Sequence, residues 1–345
     1  MKTNFTYTRC PVFQPSSNDF NLCTYHDPAD DERECGFCKR PEYYRCLADD
    51  KVIPLSYSSV SNFLTCHHLY YLTAIRGIQT KDSAQSSALK LGTLWDAVLQ
   101  KHLGTLGTDP TINIPDIIKQ YEMDPKDVAK VRGIYRAYKE LGIQVESGYE
   151  LQSKISLTLP FDKVWGDGYP VELLVTGFYD RKYPDYFVEN KFSGRPSYYQ
   201  DPFLLLSQIG TYFLADPSLK HVIMEIVQAP LLKQTGKTKD EDPEEFCERI
   251  FQDALSRPSF YFVGYNKETR AYGKKFFRSE FNLEELRDRY LHVFRELYDA
   301  RLLNGFYKNS RACNNVLPSI PCEMLSVCRY NNLSESVYQI RERKG

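Results

Sequence analysis

Val175-Thr176-Gly177-Phe178-Tyr179-Asp180-Arg181-Lys182-Tyr183-Pro184-Asp185-Tyr186-Phe187-Val188-Glu189-Asn190-Lys191 is the stretch that decides the fold. Two β-rich runs flank Tyr183-Pro184-Asp185-Tyr186, whose proline and aspartate favour a tight turn, so the segment reads as an antiparallel hairpin. A two-residue loop at Pro184-Asp185 sets Asp180 directly opposite Glu189, and Lys191 shares that face because strand side chains alternate with period 2. Like charges facing each other on a sheet are unfavourable by some tenths to about 1 kcal/mol, so the pair calls for a cation. Hard oxygen ligands suit Mg2+ or Mn2+, with an ammonium beside them to orient a water or neutralise charge on a phosphoryl group. The plainer alternative is a solvated hairpin face on which Lys191 pairs with Glu189.

Outward from the hairpin, helical and strand periods alternate. Upstream, Ser56-Tyr57-Ser58-Ser59 offers N-cap hydroxyls, and Val60, Phe63, Leu64, His67 and Tyr71 recur at helical spacing, predicting a helix over 58–74. Further helices are expected over 84–102 and, in two pieces, over 113–142, where Pro125 suits a helix start. Tyr149 to Leu159 and Val171 to Arg181 read as strands; after the hairpin come a helix over 200–215, a strand from His221 to Ala229 and a helix from Pro243 to Leu255. Phe260 to Tyr265 and Lys274 to Arg278 read as strands, and Asn282 opens a long amphipathic helix reaching Asn304 before an irregular tail. The fold class expected from this order is α/β (α+β), a mixed central sheet flanked by helices. The expected domains are a Cys-rich appendage over 1–50 and a main domain over 51–345 with a helical insertion at about 104–145.

Two helical motifs lie either side of the hairpin in sequence. Gly92-Thr93-Leu94-Trp95-Asp96 places a carboxylate one turn from a glycine, and Gln208-Ile209-Gly210-Thr211-Tyr212 puts Gln208 and Tyr212 on one helix face. In this order, around an Asp followed by Glu-x-Lys, the chain resembles the RecB-type branch of the PD-(D/E)XK nuclease superfamily. That branch's pattern, Gly-x-x-x-His, Gly-x-x-Asp, Glu/Asp-x-Lys and Gln-x-x-x-Tyr, falls here on Gly92/Asp96, Gly177/Asp180, Glu189/Lys191 and Gln208/Tyr212. Leu55-Ser56-Tyr57-Ser58 with Cys66-His67-His68-Leu69-Tyr70-Tyr71-Leu72 is similar to the branch's first helix, so the resemblance runs over about 55–330.

The resemblance implies a restriction-endonuclease-like core and a metal-dependent DNA nuclease, exonucleolytic or end-processing, in recombination, repair or phage DNA metabolism. By that resemblance Asp96, Asp180, Glu189 and the Asn190 backbone carbonyl hold Mg2+ or Mn2+ and Lys191 assists the attacking water. Gln208 and Tyr212 then position the lysine, the substrate or neighbouring backbone through directed hydrogen bonds. Asp96 stands where the branch usually has histidine; a carboxylate still binds a hard cation, so the departure bears on metal preference. Lys182, Arg195, Tyr198, Tyr199, Lys233, Lys237 and Lys239 offer phosphate contacts and stacking for a single strand or a DNA end, and each reads equally well as solvated surface. A recombination or replication protein is the expected partner class. The competing readings are a catalytically degenerate nuclease fold kept for DNA binding or assembly, and an iron-sulfur or zinc interaction protein with no nucleic-acid role.

Composition sets the frame for the cysteines. The 345 residues carry 44 Lys plus Arg against 45 Asp plus Glu, which excludes a histone-like, charge-driven binder but not a local basic channel. No apolar run is long enough for a membrane span, and Met1-Lys2-Thr3-Asn4-Phe5 leads into polar sequence, so a cytoplasmic protein of a bacterium or a phage-infected cell is expected. In such a compartment the 10 cysteines are expected to be thiols or metal ligands. Cys23-x-x-His26 and Cys35-x-x-Cys38 are paired short chelates of zinc-site type, with Cys10 and Cys46 as possible substitutes. Cys66 with Cys313, Cys322 and Cys328 is similar to the ligand set of the branch's CRISPR-associated iron-sulfur exonucleases, which implies a 4Fe-4S cluster clipping the tail to the first helix. Cys313-x8-Cys322 is longer than their usual Cys-x-x-Cys, and unligated thiols or zinc are the alternatives.

Overall fold

The computed structural model describes residues 52–104, 112–164, 170–302, 305–313, 322–330 and 333–340. Two units divide the chain: one takes in residues up to Lys81, Ser156–Gly177 and everything from Glu284, the other Asp82–Ile155 and Phe178–Leu283. Among the described residues the first unit opens on β1 (Val52–Ser56), which pairs in parallel with residues 172–176. It was not legible as a strand because it is short and carries Pro54. Ser56 then caps α1 (Tyr57–Thr65): the Ser59 amide donates to Ser56 Oγ at 3.1 Å, and the Ser56 amide donates back to Ser59 Oγ at 2.7 Å. The single helix expected over 58–74 is interrupted at Cys66, whose backbone is extended (φ −163°, ψ 119°), and resumes as α2 (His67–Tyr70) and a π-helical turn over Tyr71–Ile75. A short β2 (Ile78–Thr80) follows.

The second unit holds α3 (Ser87–Gly104), α4 (Ile114–Gln120), α5 (Pro125–Glu140) and most of the sheet. Asp124 caps α5, and Pro125 opens it as the sequence predicts. β3 (Glu150–Val164) pairs with β4 (Pro170–Lys182), and both strands pass between the units. The hairpin closes in the predicted register: β4 and β5 (Tyr186–Ser193) are antiparallel, with Arg181 opposite Val188 and Lys182 opposite Phe187. After α6 (Pro202–Ala215), β6 (His221–Gln228) pairs in parallel with β5, setting Glu189 beside Met224 and Lys191 beside Ile226. Parallel and antiparallel ladders together make the sheet mixed, with helices around it, as the fold class requires.

α7 (Pro243–Ser256) packs on α5 closely enough that a Cβ on Gly133 would lie 2.8 Å from the Cys247 carbonyl oxygen. Trp95, Tyr138, Phe246, Ile250 and Phe262 fill this core. The strand expected over Phe260 to Tyr265 is not formed: Pro258, with φ preset for a helix start, opens α8 (Pro258–Tyr261), and only Phe262 bridges to Val227. β7 (Lys274–Phe277) closes the sheet against β6. α9 (Leu283–Leu302) leads back to the first unit, whose described C-terminal residues form elements that the sequence does not suggest. They form α10 (Leu325–Tyr330) and β8 (Tyr338–Ile340), and β8 pairs antiparallel with β2 while Met324, Val327 and Tyr338 pack on Leu69, Leu72 and Ile78.

Candidate active site

All the predicted carboxylates, the lysine, the glutamine and the tyrosine lie in the second unit. The β4–β5 ladder ends at Arg181 and Val188, one step short of Asp180 and Glu189. Tyr179 packs on Phe187 and Tyr212, with ring centroids 5.1 and 5.3 Å apart, and its hydroxyl donates to the Tyr212 carbonyl at 3.1 Å. Strict alternation would instead turn Tyr179 to the face on which Arg181 is buried against Glu225, so the period slips between Tyr179 and Arg181. Asp180 is therefore not ladder-paired with Glu189 as the hairpin argument expects. Its Oδ2 accepts the backbone N–H of Asn190 at 2.8 Å instead. That contact engages Asn190 through its amide, whereas the resemblance assigned its carbonyl.

On the face covered by α6, Lys191 Nζ donates to Glu189 Oε1 at 2.5 Å, and Gln208 Nε2 donates to the same oxygen at 2.7 Å. Gln208 and Tyr212, one helical turn apart, are joined by Gln208 Nε2 donating to the Tyr212 hydroxyl at 3.1 Å. Glu189 is 3% exposed, and its other oxygen, Oε2, is buried with no hydrogen-bond partner. Asp96 approaches from α3, where Gln100 Nε2 donates to its Oδ2 at 2.7 Å.

Electrostatics tie these groups together. Burial, and then the charge of Asp180, push Glu189 up to about 7, with Lys191 opposing. Burial and Asp180 likewise push Asp96 up to about 7, against the Gln100 hydrogen bond and Lys191. Burial would lower the Lys191 ammonium, but Glu189 and then Asp180 outweigh it and hold it above its ordinary value. The site thus gathers more negative charge than its one ammonium balances and leaves a buried carboxylate oxygen bare, which is the donor chemistry of a hard divalent cation. Among the described residues no three His, Cys, Asp or Glu side chains are already drawn into metal-ligating geometry. Glu189 Oε1 is instead held by Lys191 and Gln208.

Residues 54–181 match the family model of the PD-(D/E)XK nuclease superfamily. The matched segment takes in Asp96 and Asp180 and ends before Glu189 and Lys191. No curated protein matches the chain. Members of this superfamily are mostly phosphodiesterase nucleases that use Mg2+ or Mn2+, and that is the activity the match suggests.

Two residues at the site escaped the sequence reading. Gln100 lies four residues after Asp96 on one helix, a spacing that would have found it. Gln152 on β3 reaches Asp180 Oδ1 at 3.4 Å from a left-handed backbone, φ 50°, a strained conformation that leaves no mark in the sequence.

In the first unit Cys66, Cys313, Cys322 and Cys328 line one cavity together with His68, Leu72 and Met324. All of these thiols are free. The helix break at Cys66 turns its sulfur to accept the Asn309 N–H at 3.3 Å, and the Cys322 amide donates to the Cys313 carbonyl at 2.9 Å. Burial pushes the Cys322 thiol up, the Met324 amide lowers it, and Cys313, Glu323 and Cys66 add to the rise. Cys247 is packed separately in the core of the second unit. Cys23, His26, Cys35 and Cys38 lie outside the described residues.

Proposed function

We propose that the protein is a divalent-metal-dependent DNA nuclease, acting as an exonuclease or end-processing enzyme in recombination, repair or phage DNA metabolism. The observation that carries this reading is Glu189 Oε2, a carboxylate oxygen buried without a hydrogen-bond partner while Lys191 and Gln208 hold Oε1, next to Asp180 on the Asn190 N–H. Asp96, Asp180 and Glu189 would hold the ion, and the raised affinity of Asp96 and Glu189 for protons is the excess charge it would neutralise. A bound Mg2+ or Mn2+ supplies charge neutralisation at a phosphoryl group and acidifies a water. Lys191, beside Glu189, would orient that water or stabilise charge growing on the phosphate. Gln208 holds Glu189 Oε1 and braces Tyr212, fixing the carboxylate's rotamer from α6. The chemistry leaves no covalent enzyme intermediate. Cleavage of end-labelled DNA with Mn2+, Mg2+ and chelator tests it: hydrolysis that needs the metal and is lost in Asp180→Asn supports the reading.

We propose as a second element a structural 4Fe-4S cluster at Cys66, Cys313, Cys322 and Cys328, which line one cavity but are not drawn into ligating geometry among the described residues. Burial disfavours the Cys322 and Cys328 thiolates, so loading must displace protons and should strengthen as pH rises. Iron and acid-labile sulfide in anaerobically purified protein test it. A Zn2+ site at Cys23, His26, Cys35 and Cys38 rests on the sequence alone, and zinc that disappears on deleting residues 1–50 would support it.

A further inference from the structure

Behind the candidate site, on the other face of the sheet, the second unit buries an ion pair that the proposed chemistry leaves unused. Arg181 on β4 is 2% exposed, and its Nη2 pairs with Oε2 of Glu225 on β6. Arg181 stands opposite Val188 in the β4–β5 ladder and Glu225 stands beside Asn190 in the β5–β6 ladder, so the pair reaches from β4 to β6 across β5. With strands about 4.7–4.9 Å apart the reach is roughly 9–10 Å, a span that two long side chains cover together. Tyr138 and Tyr272, both buried, lie within electrostatic reach of both charges.

Stability does not account for this arrangement. Apolar side chains of like volume are often as stable as a buried ion pair or more so, whereas the pair fixes one partner and one direction. Its position gives it a use. The β4–β5 ladder ends at Arg181, and Asp180 is the next residue out. On one face the Tyr179 hydroxyl is held by the Tyr212 carbonyl, and on the other Arg181 is held by Glu225. Asp180 lies between these two anchors, with its Oδ2 on the N–H of Asn190, the residue beside Glu225. We infer that Arg181 and Glu225 are positioning residues: their pair fixes β4 against β6 and so holds Asp180 out of register with Glu189 and on the Asn190 amide. That Asp180 so placed shares a cation with Glu189 rests on the nuclease reading, but the placement can be tested without metal or cleavage.

The test uses the full chain, first with chelator present. Arg181→Met/Glu225→Leu removes both charges at similar volume and leaves neither buried alone. In it, hydrogen exchange of the Asn190 amide, read by NMR, should speed up about tenfold or more, the scale of losing a hydrogen bond to a charged group. The amides of Val222 and Met224, where β6 pairs with β7, should keep their rates, and the unfolding midpoint should not fall. Wild-type exchange at Asn190 in the folded double variant would overturn the inference, and so would faster exchange spread evenly over the sheet, the mark of a purely structural role. If the double variant does not fold, Arg181→Lys decides: it keeps a charge for Glu225 but replaces the planar fork with one ammonium, and should speed Asn190 exchange by a smaller factor, with wild-type exchange again overturning the inference. Mn2+ affinity, followed by the EPR signal of the free ion, should weaken about ten- to a hundredfold in the double variant, the usual effect of removing a partner behind a metal ligand. Equal Mn2+ affinity beside faster Asn190 exchange would take Asp180 out of the metal site and count against the nuclease reading, while the positioning role stands. A wild type that neither binds Mn2+ nor cleaves DNA would do the same.

Discussion

At Glu189 the structure places a carboxylate where a carboxylate is costly, and the cost predicts a pH dependence. Glu189 and Asp96 both sit near 7 in the folded protein, above the ordinary range for these groups. The metal-free native state then holds protons that the unfolded chain releases. Its stability is fullest below about pH 4 for these groups, is lost as pH rises through about 7, and is level above that, a loss on the order of a few kcal/mol. Denaturant unfolding in chelator at pH 5 and pH 8 checks this, and Glu189→Gln should flatten the difference. Mn2+ should recover more stability at pH 8 than at pH 5, because protons and metal compete for the same oxygens. Asp96→His should shift the Mg2+/Mn2+ preference more than it shifts stability, and an unchanged preference would place Asp96 outside the metal site.

At the scale of elements, two glycines make opposite predictions. Gly92 sits one turn before Asp96 on α3 with nothing within 4 Å of where a Cβ would be, although glycine inside a helix is about 0.5–1 kcal/mol worse than alanine. Gly92→Ala should therefore stabilise the fold by about that much; if the open space admits the DNA backbone, cleavage should fall while stability rises. Gly133→Ala should destabilise by about 1–3 kcal/mol, because its Cβ would meet Cys247 O and Ile250 at 2.8 Å where α5 crosses α7. Paired denaturation and rate measurements on both variants decide these points. The hairpin was legible because a Pro-Asp turn and a period of 2 constrain register together; the slip at Tyr179 was not, because it depends on an aromatic contact with Tyr212, far along the chain. Likewise Gln208 and Tyr212 were legible as a helix face, whereas β1 and β8 are too short for their local pattern to outweigh a tertiary pairing.

Over the whole molecule, the second unit carries the carboxylate site and the first the cysteine-lined cavity. Phosphodiester hydrolysis needs no electron transfer, so the cysteines are expected to act on the fold. On the proposed 4Fe-4S cluster, anaerobic protein should be coloured, and serine at any of Cys66, Cys313, Cys322 or Cys328 should bleach it and raise protease sensitivity of the C-terminal tail, while Cys247→Ser leaves the colour intact. Among the described residues no helix is long and apolar enough to cross a membrane. Asp180, Glu189 and Lys191 are proposed as a metal-dependent centre for DNA hydrolysis, and the rate of Mn2+-dependent cleavage by Glu189→Gln is the decisive measurement. The expected result is a loss of about a hundredfold or more, the scale of removing one pre-positioned charged group, in a protein that unfolds cooperatively like the wild type. Wild-type cleavage by a folded Glu189→Gln protein would contradict it.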